Sequence, residues 1–229
     1  MDDSLRDLVA AACRILFNEG HEHLYLGHVS ARAEPGSDRF WVKPTGMGLG
    51  EVTADDLVLV GLDGTRLAGD RPLHHELPIH AEIYRRRPEV TAVVHTHPPF
   101  ASALAASSAT LRIVSQDSVP FAGGVGSYDS AELVVTSEQG RRLAEALGDG
   151  HAVLLRNHGI AVADASVEGA VCLAVGLERS VRIQLAATML GSVVEIGPDE
   201  LATMTDYFAG SYANRTAITF EYLRRRAGA

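Results

Sequence analysis

"VVHTHPPF", residues 93–100, closes a run of β-branched residues with two histidines spaced two apart and a double proline. Alternate side chains on a strand project from the same face, so His95 and His97 form one paired arm. Pro98 and Pro99 cannot donate to a ladder, so the strand stops where the arm does. Two imidazoles aimed together can grip a metal, but a strand histidine can equally satisfy itself on a backbone carbonyl. Nothing within this stretch decides between the two.

Working outward, "ELPIHAEIYRRRP" (76–88) predicts a helix with Pro78 in its first turn and Pro88 at its end. "RFWVK" (39–43) and "LVLVG" (57–61) read as strands around the turn-rich loop "PTGMGLG" (44–50), and Asp63-Gly64 signals a hairpin. Residues 4–18 carry Leu5, Leu8, Val9, Ala12 and Leu16 at helical spacing, closed by Gly20. Downstream, "LRIVS" (111–115) reads as a strand and "VPFAGGVGSYDS" (119–130) as a loop. A helix is predicted from Ser137 to 147, stopped by Gly148. "AVLLRNHGIAVA" (152–163) reads as two strands joined at Asn157-His158-Gly159, with left-handed backbone at the Asn or Gly. Residues 166–190 form a long, largely apolar helical pattern, and the aromatic-rich segment from 198 onward reads either as a cover over the mouth of a neighbouring pocket or, the preferred reading, as a packed helix. Strands and helices interleave without a regular βαβ rhythm. The expected fold class is therefore α/β, with a mixed, mainly antiparallel central sheet and helices on both faces.

Composition narrows the function. A chain of 229 residues fits one domain, 1–229, able to bury its core without staples. Cys13 and Cys172 lie in apolar helical patterns and read as free thiols of a reducing compartment, so a cytoplasmic location is expected. The acidic N-terminus "MDDSLRDLVA" lacks the layout of an export signal, and no apolar run reaches bilayer length, so no membrane partner is expected. A net charge of -9 repels phosphate backbones, which argues against nucleic acid; Arg224–Arg226 reads as a solvated helix end. A small-molecule substrate is the expected partner.

The histidines gather at element ends: His74, His75, His95, His97 and His158. If the strand of His95 and His97 neighbours the turn of His158, three nitrogens meet and leave an open position, as a catalytic zinc site requires. Glu76 opens a helix, where it reads either as a cap or as a general base or further ligand. Gly46, Gly48 and Gly50 offer backbone N–H groups, as many plain turns do.

Taken together and in order, "GHVSAR" (27–32), "KPTGMGLGEVTADDLVLVGLDG" (43–64), "HHELPIHAEIYRRRPEVTAVVHTHPP" (74–99) and "LLRNHG" (154–159) resemble the class II aldolase/adducin family, typified by fuculose-phosphate aldolase. The likeness spans roughly residues 5–190. It implies a three-layer α/β/α fold, a homotetramer with sites between subunits, and a divalent metal, usually zinc, with manganese and cobalt as alternatives. It assigns His95, His97 and His158 as ligands, and Glu76 as ligand and acid/base residue.

The departures from that pattern carry the finer expectation. The family's phosphate-gripping Asn is His28 here, and the two small hydroxyl residues before the catalytic Glu are His74 and His75. Three compact phosphate contacts have become three imidazoles, which shrinks the cradle. The family's proton-donating Tyr aligns near Asp117, leaving Tyr128, Tyr207, Tyr212 and Tyr222 as substitutes. "RPLHHE" resembles the branch that decarboxylates hydroxylated aromatic or heteroaromatic acids such as dihydroxyphthalate. The resemblance thus implies a metal-dependent carbon-carbon lyase, a decarboxylase, with Glu76 or His75 returning the proton. His28, Thr45, Gly46 and His74 are the substrate-binding candidates, and Lys43 and Arg32 are lesser carboxylate partners. The rivals are an aldolase acting on a sugar phosphate or hydroxy-ketone, and a non-catalytic adducin-like scaffold. His21, His23 and His80 match no family role and read as ordinary imidazoles.

Overall fold

The N-terminal helical stripe folds as α1 (Asp2–Asn18) and buries Val9, Ala12, Cys13 and Leu16. The computed structural model describes residues 2–229, so Met1 of the acidic N-terminal stretch lies outside the described residues. Two strands follow, β1 (His28–Arg32) and β2 (Arg39–Val42), then β3 (Val58–Gly61) and β4 (Arg66–Ala68), joined by a hairpin in which Gly64 takes φ +84°. Next come α2 (Leu77–Arg86), β5 (Ala92–Thr96) and the short α3 (Pro99–Ala105). The remainder is β6 (Gly126–Tyr128), α4 (Ser137–Leu147), β7 (Ala152–Leu155), β8 (Gly159–Asp164), α5 (Val167–Leu190) and α6 (Pro198–Arg226).

All eight strands form one sheet in the order β4-β3-β2-β1-β5-β8-β7-β6. Every neighbouring pair is antiparallel except β6 with β7, which makes the sheet mixed. The two-residue alternation divides its faces. Val29, Ala31, Ala92, Val94, Ile160 and Val162 pack against α1, α3, α5 and α6. Val93, Ala161, Ala163, Val153 and Leu155 pack against α2 and α4. Each Val, Leu or Ile side chain buried this way contributes on the order of 1.5–3 kcal/mol. The result is the expected α/β/α layering.

Two local readings are corrected. Residues 111–115 form no strand, because their backbone groups find other partners. Arg112 N donates to the Gln184 side chain on α5 (2.7 Å), which in turn donates to Thr110 O (2.9 Å), and Ile196 N donates to Ile113 O (2.9 Å). The segment is strapped to a helix rather than laddered. Conversely, the expected loop 119–130 contains β6, short enough to hide its pattern among glycines. α6 forms as expected but buries only Thr216, Phe220 and Leu223. Among the described residues, no helix is long and apolar enough to cross a membrane.

Behind the loop 44–50 sits a fully buried lysine. Lys43 Nζ donates to Tyr25 O (3.1 Å) and Pro44 O (3.0 Å), joining the segment before β1 to the one after β2. Burial lowers its pKa from 10.5 to about 8, against a weaker opposing pull from Cys13 and Glu51. Between those two values the unfolded chain holds one more proton than the native one, so stability should rise with pH across that window. Urea unfolding of the wild type and Lys43→Met at pH 7.5 and pH 10 tests this: the difference should move in favour of the wild type at the higher pH. A constant difference would show that the ammonium is not held at this cost.

Candidate metal centre

β5 lies between β1 and β8, and its registers place the site. His28 on β1 stands opposite His95, and Thr96 stands opposite Ile160 at the start of β8. One residue beyond each end, His97 and the β7–β8 turn carrying His158 therefore meet. Asn157 absorbs the left-handed backbone of that turn, at φ +56°. Gly159 has ordinary φ but no room for a side chain: an added Cβ would lie 2.4 Å from Thr96 O and 2.5 Å from the His97 ring. The glycine is there for close approach.

Three imidazoles converge as the sequence suggested, each offering a nitrogen within 4.8 Å of the others. His95 Nε2 and His97 Nε2 are 3.0 Å apart. Glu76 Oε2 lies 3.7 Å from His95 Nε2 and 3.7 Å from His158 Nε2. Glu76 is the N-cap residue of α2, yet its side chain caps nothing. Its Oε1 instead accepts from Val134 N at 3.0 Å, which aims Oε2 at the imidazoles. The capping reading is therefore not borne out, and the carboxylate lies beside the imidazoles instead.

The donor set fits a divalent cation. His95 Nδ1 is 2.9 Å from Ile160 O, and a carbonyl only accepts, so that nitrogen carries the proton and Nε2 presents a bare lone pair. His97 Nδ1 is braced by His23 Nδ1 at 3.0 Å. His158 has no such brace, its Nδ1 being buried without a partner among the described residues. Burial holds the rings neutral, as ligands must be: His95 is pushed well below the usual histidine range, His97 to about 4, and His158 downward. Burial raises the Glu76 pKa, opposed by the Val134 bond. Neutral nitrogens around a desolvated carboxylate are what zinc and similar ions bind.

The other candidate residues fall into two groups. His28 is buried beside the cluster, its ring 4.9 Å from that of His95 and 4.3 Å from that of His74. His74 Nε2 donates to Pro44 O at 3.0 Å and Thr45 N to Pro72 O at 3.0 Å, which ties the 44–46 turn to the segment leading into α2. Thr45 is half-buried and Gly46 exposed, with φ +81°. His75 is not gathered in: it is exposed and lines a separate groove with Leu62, Pro78 and Val135. Arg32 does not serve a carboxylate either, since its guanidinium donates to the carbonyls of Val90, Ser37 and Tyr84. Asp117 pairs with Arg179 at 2.8 Å. Tyr128 is buried in the second core, Tyr212 donates to Asp164, and Tyr207 and Tyr222 are exposed on α6. Two imidazoles read as ordinary have specific places: His23 braces His97, and His80 bonds His28 Nδ1 at 2.6 Å. A stripe at helical spacing, Glu76, His80 and Tyr84, was the signal for His80.

An α/β/α sheet here presents three histidines and a glutamate from strand ends, a turn and a helix start, a group that could hold a metal ion. The model of the family described as the class II aldolase and adducin N-terminal domain matches residues 7–185, and the chain belongs to that family. A 3,4-dihydroxyphthalate decarboxylase from Arthrobacter keyseri is 35% identical over 233 residues, covering 96% of this chain and 93% of its own. A 3,4-dihydroxyphthalate decarboxylase from a Terrabacter strain is 33% identical over 219 residues, covering 90% of each chain. Among solved structures, L-fuculose 1-phosphate aldolase from Glaciozyma antarctica superposes with a TM-score of 0.86 at 29% identity, over 99% of this chain and 90% of that one.

Gly159→Ala tests the close approach. The added methyl must displace backbone, so zinc affinity measured by chelator competition should fall about tenfold or more, the scale seen when a ligand's support is lost. Unchanged affinity would mean that the β8 start and the His97 arm need not touch.

Proposed function

We propose that the protein is a divalent-metal-dependent carbon-carbon lyase that decarboxylates a hydroxylated aromatic carboxylic acid of the dihydroxyphthalate type. Zinc is the expected ion, with manganese or cobalt as alternatives. The observation that carries this reading is Glu76: one oxygen is fixed by Val134 N and the other faces His95 and His158 at 3.7 Å. A carboxyl group so held can keep a proton at Oε2 and deliver it to a defined point. Support comes from the decarboxylase relatives at 33–35% identity and from the imidazoles of His28 and His74 gathered beside His95.

In this reading His95, His97 and His158 hold the cation. When bound, it supplies a Lewis acid for the oxygen next to the bond that breaks. His28 and His74 wall the substrate side, and the 44–46 turn closes over it, with Thr45 offering a hydroxyl. Glu76 Oε2 returns a proton to the ring carbon that carbon dioxide leaves. His75, exposed in its own groove, takes no part within a single chain. Leu185, Met189, Leu190 and Val194 are exposed around the end of α5, apolar surface that further copies would cover in the proposed homotetramer.

The rival is an aldolase, favoured by the superposition on L-fuculose 1-phosphate aldolase. The two part on products: carbon dioxide from 3,4-dihydroxyphthalate and related catechol-type acids, against aldehyde from ketose 1-phosphates. Aldehyde release alone would overturn the decarboxylase. An absence of both, with no stoichiometric metal in the purified protein, would favour the adducin-like scaffold. Two variants assign roles: Glu76→Gln should keep most of its zinc and lose turnover by about a hundredfold or more, whereas His97→Ala should lose both metal and turnover. Full activity in Glu76→Gln would reject the proton role.

A further inference from the structure

Beneath the site a line of polar side chains runs into the core between the sheet and α2. His28 Nδ1 lies 2.6 Å from His80 Nε2, His80 Nδ1 lies 2.6 Å from Ser30 Oγ, and Ser30 Oγ lies 2.7 Å from Tyr84 OH. All four residues are 2% exposed or less. A buried polar line is retained at a cost unless every member is satisfied.

The direction of the line can be worked out from its far end. Tyr84 has two oxygens within reach of its hydroxyl, Ser30 Oγ at 2.7 Å and Thr91 O at 3.5 Å. The second is long for an O–H···O bond, and that carbonyl already accepts from Arg32 N at 2.8 Å. Tyr84 therefore donates to Ser30. Among the described residues the Ser30 hydrogen then has one acceptor within reach, His80 Nδ1, and using it requires that nitrogen to be bare, so His80 carries its proton on Nε2. That proton is donated to His28 Nδ1, which must be bare in turn. His28 is left with its proton on Nε2. With Nδ1 committed to His80, Nε2 is the nitrogen that His28 offers where it, Glu76 and His95 bring donor atoms within 4.8 Å of one another.

We propose that Tyr84, Ser30 and His80 are positioning residues that lock His28 in the Nε2–H tautomer, making it a hydrogen-bond donor to a carboxylate oxygen of the bound acid rather than a further nitrogen ligand of the metal. Run in the opposite direction, the same four groups would present a lone pair and add a nitrogen to the cation's shell. Neutral rings throughout agree with the burial that pushes His28 well below the histidine range and His80 to about 3. Only the identity of the acceptor rests on the decarboxylase reading; the tautomer does not.

The test is long-range proton–nitrogen correlation NMR on histidine-labelled protein, metal-free and zinc-loaded, with signals assigned from His28→Gln and His80→Gln. Both rings should show a protonated Nε2 and a bare Nδ1 in either state. A protonated Nδ1 on either ring in the unaltered chain overturns the proposal, and this readout needs no variant to fold. Ser30→Ala should turn the His28 signal into a mixture of tautomers and raise KM for 3,4-dihydroxyphthalate about tenfold, with kcat changed less than about twofold. Ser30→Thr, which keeps the hydroxyl, should restore both. A Ser30→Ala protein whose KM rises while His28 keeps a single Nε2–H tautomer would reduce the line to a structural role and overturn the proposal. Should the tautomers appear as stated while no catechol-type acid releases carbon dioxide, the decarboxylase reading fails and the lock stands.

Discussion

The site depends on one strand register. Pairing Thr96 with Ile160 brings the His95/His97 arm to the turn that carries His158, and pairing His28 with His95 sets a further imidazole beside it. A slip of one residue between β5 and β8 would send Val93, His95 and the arm to the opposite face, where α1, α3, α5 and α6 pack. The register is held from both sides. Val94 must face one core and Val93 the other, and both are fully buried. Gly159 then lets the two chains close to a distance that a single methyl would forbid. The prolines end β5 where its ladder is no longer wanted, and Glu178 on α5 receives Phe100 N (3.0 Å) and Ala101 N (2.7 Å), anchoring the chain as it leaves the arm.

Much of this was legible because it rests on short-range rules. Period-two alternation predicts that His95 and His97 share a face, and proline chemistry predicts where α2 begins and β5 ends. The α/β class followed from interleaved patterns, but the strand order did not. That order is fixed by which edges remain free after both cores are packed, a property of the whole chain. The misread strand at 111–115 shows the limit plainly. Its residues have strand propensity, yet Gln184, some seventy residues away, supplies the hydrogen bonds that a neighbouring strand would have supplied. Propensity yields when a distant side chain satisfies the backbone. β6 was lost for the opposite reason, since Gly126-Ser127-Tyr128 carries almost no pattern and is a strand only because β7 lies beside it.

The histidines divide along the same line. Those on the arm were visible as a motif, whereas His80 was not, because its partner His28 lies 52 residues away and on another element. In hindsight two periods meet there. Glu76, His80 and Tyr84 repeat every four residues along α2, and His28 and Ser30 repeat every two along β1. A helix face and a strand face with matching polar stripes can satisfy each other inside a core, and neither stripe is informative without the other.

The burial of so many imidazoles also bears on what the site can select. Desolvation keeps His28, His74, His80 and His95 neutral, so the proposed substrate wall carries hydrogen-bond direction but little charge. The fully buried ammonium of Lys43 is turned toward the carbonyls of Tyr25 and Pro44. A phosphate dianion is best held by several donors converging on three oxygens, preferably cationic ones. Flat, neutral rings that each offer at most one directed N–H suit instead a planar acid whose carboxylate needs a single well-placed donor; in the proposed reading a bound metal would take up the remaining charge. On that physical ground, a wall of neutral imidazoles suits the aromatic acid of the proposed reading better than a sugar phosphate.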